Sequence, residues 1–127
     1  LFYSFHLIFP LDFIPLDYLG GNLFDFVSKN DIDESLFKAI LRKLDFSRTQ
    51  FEKNIEDFSG GQKKKVLIAK SLCEKSHLLI WDEPLNFIDV FSRMQIEELL
   101  LKFQPTILFV EHDHKFCANI ATKIVQL

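Results

Sequence analysis

Residues 59–89 read S-G-G-Q-K-K-K-V-L-I-A-K-S-L-C-E-K-S-H-L-L-I-W-D-E-P-L-N-F-I-D, and this stretch decides the fold. Ser59-Gly60-Gly61-Gln62 places two glycines where a helix begins. Glycine frees the backbone and bares its N–H groups. The first N–H groups of a helix lack intrahelical acceptors and carry the positive end of the helix dipole, so such a turn suits an anion. Ser59 Oγ is available there as a cap or as a further donor to phosphate. A helix is expected over 62–74, with Val66, Leu67, Ala69 and Leu72 facing inward. The run Lys63-Lys64-Lys65 is expected to form a solvated helix face. His77-Leu78-Leu79-Ile80-Trp81 is apolar without alternation, as in a strand buried on both faces. Asp82 and Glu83 close that strand, and ligands of an open parallel sheet sit beyond the carboxyl ends of its strands.

Working outward, residues 89–103 predict an amphipathic helix (Phe91, Met94, Leu99, Leu100) that stops before Pro105. Residues 106–110, Thr-Ile-Leu-Phe-Val, predict a second fully apolar strand, and 124–127 a third. Strand, helix, strand, helix, strand is the rhythm of a parallel α/β sheet. Upstream, Asp33-Glu34-Ser35 opens a helix with Leu36, Phe37, Ile40, Leu41 and Leu44 on one face. Ser47-Arg48-Thr49-Gln50 has capping-box spacing for a short second helix.

At 127 residues the chain is long enough for one domain with a real core, and its composition is that of a soluble globular protein. A net charge of −3 gives no electrostatic case for nucleic acid. Cys73 and Cys117 fall in expected helices, show neither metal nor redox spacing, and read as buried free thiols. Residues 1–19 are rich in Phe and interrupted by Pro10 and Pro15. They lack the basic start expected of a signal peptide, and their prolines and acids argue against a membrane span. An edge strand followed by a loop is the plainer reading.

These motifs resemble those of the ATP-binding cassette (ABC) ATPases. Ser59-Gly60-Gly61-Gln62 matches the signature motif, and Leu78 to Asp82 followed by Glu83 matches Walker B with its catalytic glutamate. Pro84-Leu85-Asn86-Phe87-Ile88-Asp89 matches the D-loop, and His112 in Val110-Glu111-His112-Asp113 matches the switch histidine. Order and spacing agree as well as identity. The detailed wording is similar to the second cassette of ABC-F proteins, and within those to the Lsa-like group that protects ribosomes from lincosamides, streptogramins A and pleuromutilins. The resemblance covers about the last four-fifths of the chain.

The resemblance implies a partial P-loop NTPase fold: a helical signature subdomain over 22–61 and the C-terminal part of the parallel-sheet core over 62–127, after an atypical segment at 1–21. It implies ATP and Mg²⁺ as cofactors, with Asp82 holding the metal through its water shell, Glu83 orienting or deprotonating the attacking water, and His112 donating to the γ-phosphate. Ser59, Gly60, Gly61, Gln62 and Asp89 would bind nucleotide. The implied partners are a second cassette of the same parent chain and the ribosome, in the cytoplasm, with no membrane and no direct DNA contact. Trp81 is expected beneath the site, and His6, His77 and His114 outside it.

The chain also departs from the family pattern. It contains no G-x-x-x-x-G-K-[ST], since Gly20-Gly21 is followed by Asn22-Leu23. No Gln precedes Gln50, although the family's glutamine loop is expected near Ile14. A truncated or frame-disrupted product, regular from about Tyr18, is one expectation. An ATP-binding subunit fragment of a membrane transporter and an inactive remnant are the competing ones.

Overall fold

The fold was examined in a computed structural model, which describes residues 5–8 and 21–126. Three parallel strands form one sheet in the order β1 (Phe5–Ile8), β2 (Leu78–Asp82), β3 (Ile107–Val110). Phe5 pairs with Leu78 and Ile8 with Trp81, while Leu79 pairs with Ile107 and Asp82 with Val110. The third strand therefore comes from the N-terminal segment, as its plainer reading held. The strand expected at 124–127 is not formed: residues 124–126 are irregular, and Ile124 and Val125 are exposed. The remaining N-terminal expectations, at Pro10, Ile14 and Pro15, lie outside the described residues.

Between β1 and β2 run α1 (Leu23–Lys29), α2 (Glu34–Lys43), α3 (Arg48–Glu52), one 3₁₀ turn (Ile55–Asp57) and α4 (Gly60–Cys73). Each start has a local cause. Asn22 and Asp25 form a capping box on α1, which the sequence reading left unassigned, and Asp33 accepts from Leu36 N–H at 2.9 Å. Phe37, Ile40, Leu41 and Leu44 are buried as the periodicity requires, and they join Phe26, Phe46, Phe51, Ile55 and Phe58 in one cluster with α4. Ring pairs Phe26–Phe37 at 5.9 Å and Phe46–Phe58 at 5.6 Å lie inside it. Ile55 N–H donates to Gly21 O at 2.8 Å, which brings the 3₁₀ turn back against the start of α1.

After β2 the chain continues through α5 (Val90–Phe103), β3 and α6 (His114–Ile120). Trp81, fully buried, donates from Nε1 to Ser71 Oγ of α4 at 2.8 Å, and its register partner Phe109 packs edge-on against Phe116 of α6 at 5.4 Å. One sheet face is thus covered. The other is not: Leu78 and Ile80 are half-buried, and Leu108 and Val110 are 60% and 55% exposed. The expectation of strands buried on both faces is corrected, because among the described residues helices pack on the Trp81–Phe109 side, and an open groove runs along β3 and α6 to Ile124 and Val125.

Two further expectations are corrected. On α5 the buried residues are Ser92, Ile96, Leu99 and Leu100, whereas Phe91 and Met94 are exposed, because the helix packs with a different face inward, against α6. On α4 the lysine run is not a solvated face. Lys64 is completely buried, and Lys65 is half-buried and donates to Leu44 O at 2.9 Å. Both are drawn in because α4 packs against α2 and β1. Among the described residues no helix is long and apolar enough to cross a membrane.

Candidate functional site

The carboxyl ends of β2 and β3 lie side by side, with Asp82 in register with Val110. The residues that follow each strand, Glu83 and Glu111-His112, therefore meet at one sheet edge. Glu83 N–H donates to Val110 O at 2.9 Å, extending the ladder by one bond. The chain then turns sharply: Glu83 takes φ +46°, a left-handed conformation that is uncommon for a residue with a side chain. Pro84 after it is buried and anchors the turn.

That turn aims the Glu83 carboxylate across the edge. Its Oε1 lies 3.3 Å from His112 Nε2, and its Oε2 accepts from Asn86 Nδ2 at 2.9 Å. His112 is largely exposed, while Glu83 is about one-third exposed. Asp82 is exposed and stands beside this pair, with no hydrogen bond or ion pair among the described residues. The sequence-predicted acids and histidine are brought together.

Glu111 is the residue whose contribution the sequence reading did not see. Its Oε2 accepts from Leu85 N–H at 3.1 Å, and its Oε1 accepts from His112 N–H at 2.9 Å and Asp113 N–H at 3.4 Å. One carboxylate thus fastens the loop after β2 to the loop after β3. Asp113 caps α6 through Phe116 N–H and accepts from Arg93 Nη1 of α5 at 2.8 Å. The hydrogen bond from Phe116 N–H, with the Arg93 charge, holds the Asp113 carboxyl below its ordinary pKa.

The glycine turn lies against the same loop. Ser59 caps α4, its Oγ accepting from Gln62 N–H at 3.2 Å while Gln62 Oε1 accepts from Ser59 N–H at 2.9 Å. A Cβ on Gly60 would touch the Phe87 ring at 3.4 Å, and one on Gly61 would stand 2.5 Å from Phe87 O. Gly61 is required by this close approach. Phe87 itself takes φ +67° and leaves its ring 63% exposed. Asp89 caps α5: Oδ1 accepts from Ser92 N–H at 2.9 Å and Oδ2 from Ser92 Oγ at 2.8 Å, which holds its carboxyl below the ordinary pKa. Its oxygens are engaged within the chain.

The donor set fits a magnesium–phosphate group at one end only. Among the described residues no three His, Cys, Asp or Glu side chains form a metal cage. A single free carboxylate beside a second acid is what Mg²⁺ uses when phosphates and water complete its shell. The loop that would grip the phosphates is missing from the sequence.

The ABC transporter family model matches residues 19–86, more than half of the chain. The chain is 36% identical over 95 residues to the "Probable ATP-binding protein YbiT" of Escherichia coli O157:H7, covering 75% of this chain and 18% of that protein. It is 29% identical over 90 residues to the ABC transporter F family member 2 of Arabidopsis thaliana, covering 71% and 13%. Among solved structures, the complex of the archaeal ribosomal stalk protein aP1 with the archaeal ribosome recycling factor aABCE1 superposes with a TM-score of 0.74 at 21% identity, covering 87% of this chain and 22% of that chain. The chain thus spans about a fifth or less of the length of these relatives. With its parallel sheet, its acids at the strand ends and a family match over residues 19–86, the chain belongs to the ABC transporter family and has a partial ABC ATPase fold.

Proposed function

We propose that this chain is the C-terminal part of the second nucleotide-binding cassette of an ABC-F protein of the Lsa-like, ribosome-protecting kind, with residues 22–61 as its helical subdomain and 62–127 as its core. The observation that carries the reading is the Glu83–His112 pair, 3.3 Å apart at the carboxyl edge beside a free Asp82. Wording close to ABC-F cassettes and the likeness to the Arabidopsis F family member support the subfamily.

Bound Mg²⁺ and ATP would supply the electrophilic phosphorus and neutralise the charge that develops on it. Asp82 would hold the metal's water shell. Glu83 would orient water with one oxygen and accept its proton, while Asn86 fixes the other oxygen. His112, after the neighbouring strand β3, would donate to a terminal phosphate oxygen. Glu111 positions both loops by bonding to Leu85, His112 and Asp113. Ser59, Gly60, Gly61, Gln62 and Asp89 would face nucleotide held by a second cassette. The Phe87 contact at Gly60 and Gly61 then connects the glycine turn directly to the loop after β2.

A second reading, an inactive remnant, is favoured by the lack of a phosphate-binding loop in these 127 residues. The two readings separate in a complete protein carrying this stretch. There, Glu83→Gln keeps shape and hydrogen bonding but removes the base, so closure survives and reopening does not. Co-sedimentation with ribosomes in ATP is expected to exceed that of the unmodified protein. Equal retention of the two would contradict the ribosome-protection reading.

A further inference from the structure

Lys64 is a fully buried charged residue that the site above leaves unexplained. It lies in the N-terminal half of α4, whose start abuts the loop after β2 through the Gly61–Phe87 approach. Helical side chains lean toward the helix N-terminus, and so here toward that loop. The residue is 0% exposed, and its Nζ has no hydrogen-bond partner. Burying an unpaired ammonium is costly, and an apolar side chain of similar volume is often more stable in such a place. Stability therefore does not account for it.

Three carboxylates reach this ammonium through space: Asp82, Glu111 and Glu83. They are the acids of the candidate site. Burial lowers the Lys64 pKa, and these three charges oppose that shift. Among the described residues no Lys or Arg is hydrogen-bonded to Asp82, Glu83 or Glu111.

We propose that Lys64 is a built-in counter-charge beneath the acid edge, a positioning residue that disfavours a bare divalent cation at Asp82 so that the metal enters with a polyphosphate. The inference rests on the reading of Asp82 as the metal-holding acid. Its physics is simple. A fixed positive charge in a partly desolvated site repels a divalent ion more strongly than it would in water. A polyphosphate brings compensating negative charge and removes that penalty.

The test uses the 127-residue chain and Mn²⁺ alone, titrated by electron paramagnetic resonance at neutral pH and low salt. Lys64→Met should bind Mn²⁺ about tenfold more tightly than the unmodified chain, and Lys64→Arg about as weakly as it. Adding Asp82→Asn to Lys64→Met should abolish the gain. Circular dichroism verifies folding, and Lys64→Gln replaces Lys64→Met if the latter does not fold. Unchanged affinity in Lys64→Met, with Asp82→Asn still weakening binding, overturns the counter-charge and leaves the metal reading standing. Tight binding that survives Asp82→Asn overturns the metal reading, and the inference with it. Lys64→Arg behaving like Lys64→Met shows that size and not charge matters, which also overturns it. No Mn²⁺ binding by any variant overturns it as well.

Discussion

Gly61 shows how much a single atom decides. A methyl group there would sit 2.5 Å from Phe87 O, a backbone atom that moves only with its loop. Gly61→Ala should therefore destabilise the chain by about 1–3 kcal/mol, measured by denaturant unfolding, even though alanine is the better helix former. Two aspartates set the acid limit of stability. Hydrogen bonds from Ser92 N–H and from Phe116 N–H depress the carboxyls of Asp89 and Asp113. A depressed carboxyl contributes stability that is present above its unfolded pKa, about 4. That stability is lost as pH falls through the lower folded value. The melting temperature should thus drop below about pH 4. Asn at either position, an equally good cap, should flatten that drop while leaving neutral stability nearly unchanged. Burial pushes the Cys73 thiol up to about 12, so it should resist alkylation at neutral pH.

Elements differ in how far the sequence announces them. The helix at Gly60–Cys73, its Ser59 cap and the strand Leu78–Asp82 follow from local spacing and were legible. So was the juxtaposition of Asp82, Glu83 and His112, because parallel strands deliver their following residues to one edge. What escaped depended on neighbours. An apolar run such as Ile107–Val110 looks the same whether one face or both are covered, and only the placement of α4 and α6 shows that Leu108 and Val110 face outward. A lysine run looks solvated until its helix packs against other elements, as α4 does against α2 and β1. The bonds of Glu111 join loops 26 residues apart, which no local pattern encodes. The open face yields a prediction. Leu108→Thr with Val110→Thr should cost at most roughly 0.5 kcal/mol each and raise solubility, whereas Trp81→Ala on the covered face should cost about 3–5 kcal/mol.

At the scale of the whole molecule, the sheet has three strands, an exposed apolar face and an edge strand at β3. Such surfaces favour association, so the isolated chain is expected to self-associate on size exclusion at high concentration. Without a phosphate-binding loop it is also expected to release no phosphate from ATP above blank. The central claim is that the edge formed by Asp82, Glu83 and His112 is a hydrolytic centre once the rest of a cassette is present. Steady-state phosphate release by a complete cassette protein carrying this stretch, with and without Glu83→Gln, tests it most directly. The account predicts a loss of roughly 10²–10⁴-fold in turnover with ATP binding retained; turnover within about twofold of the unmodified protein would contradict it.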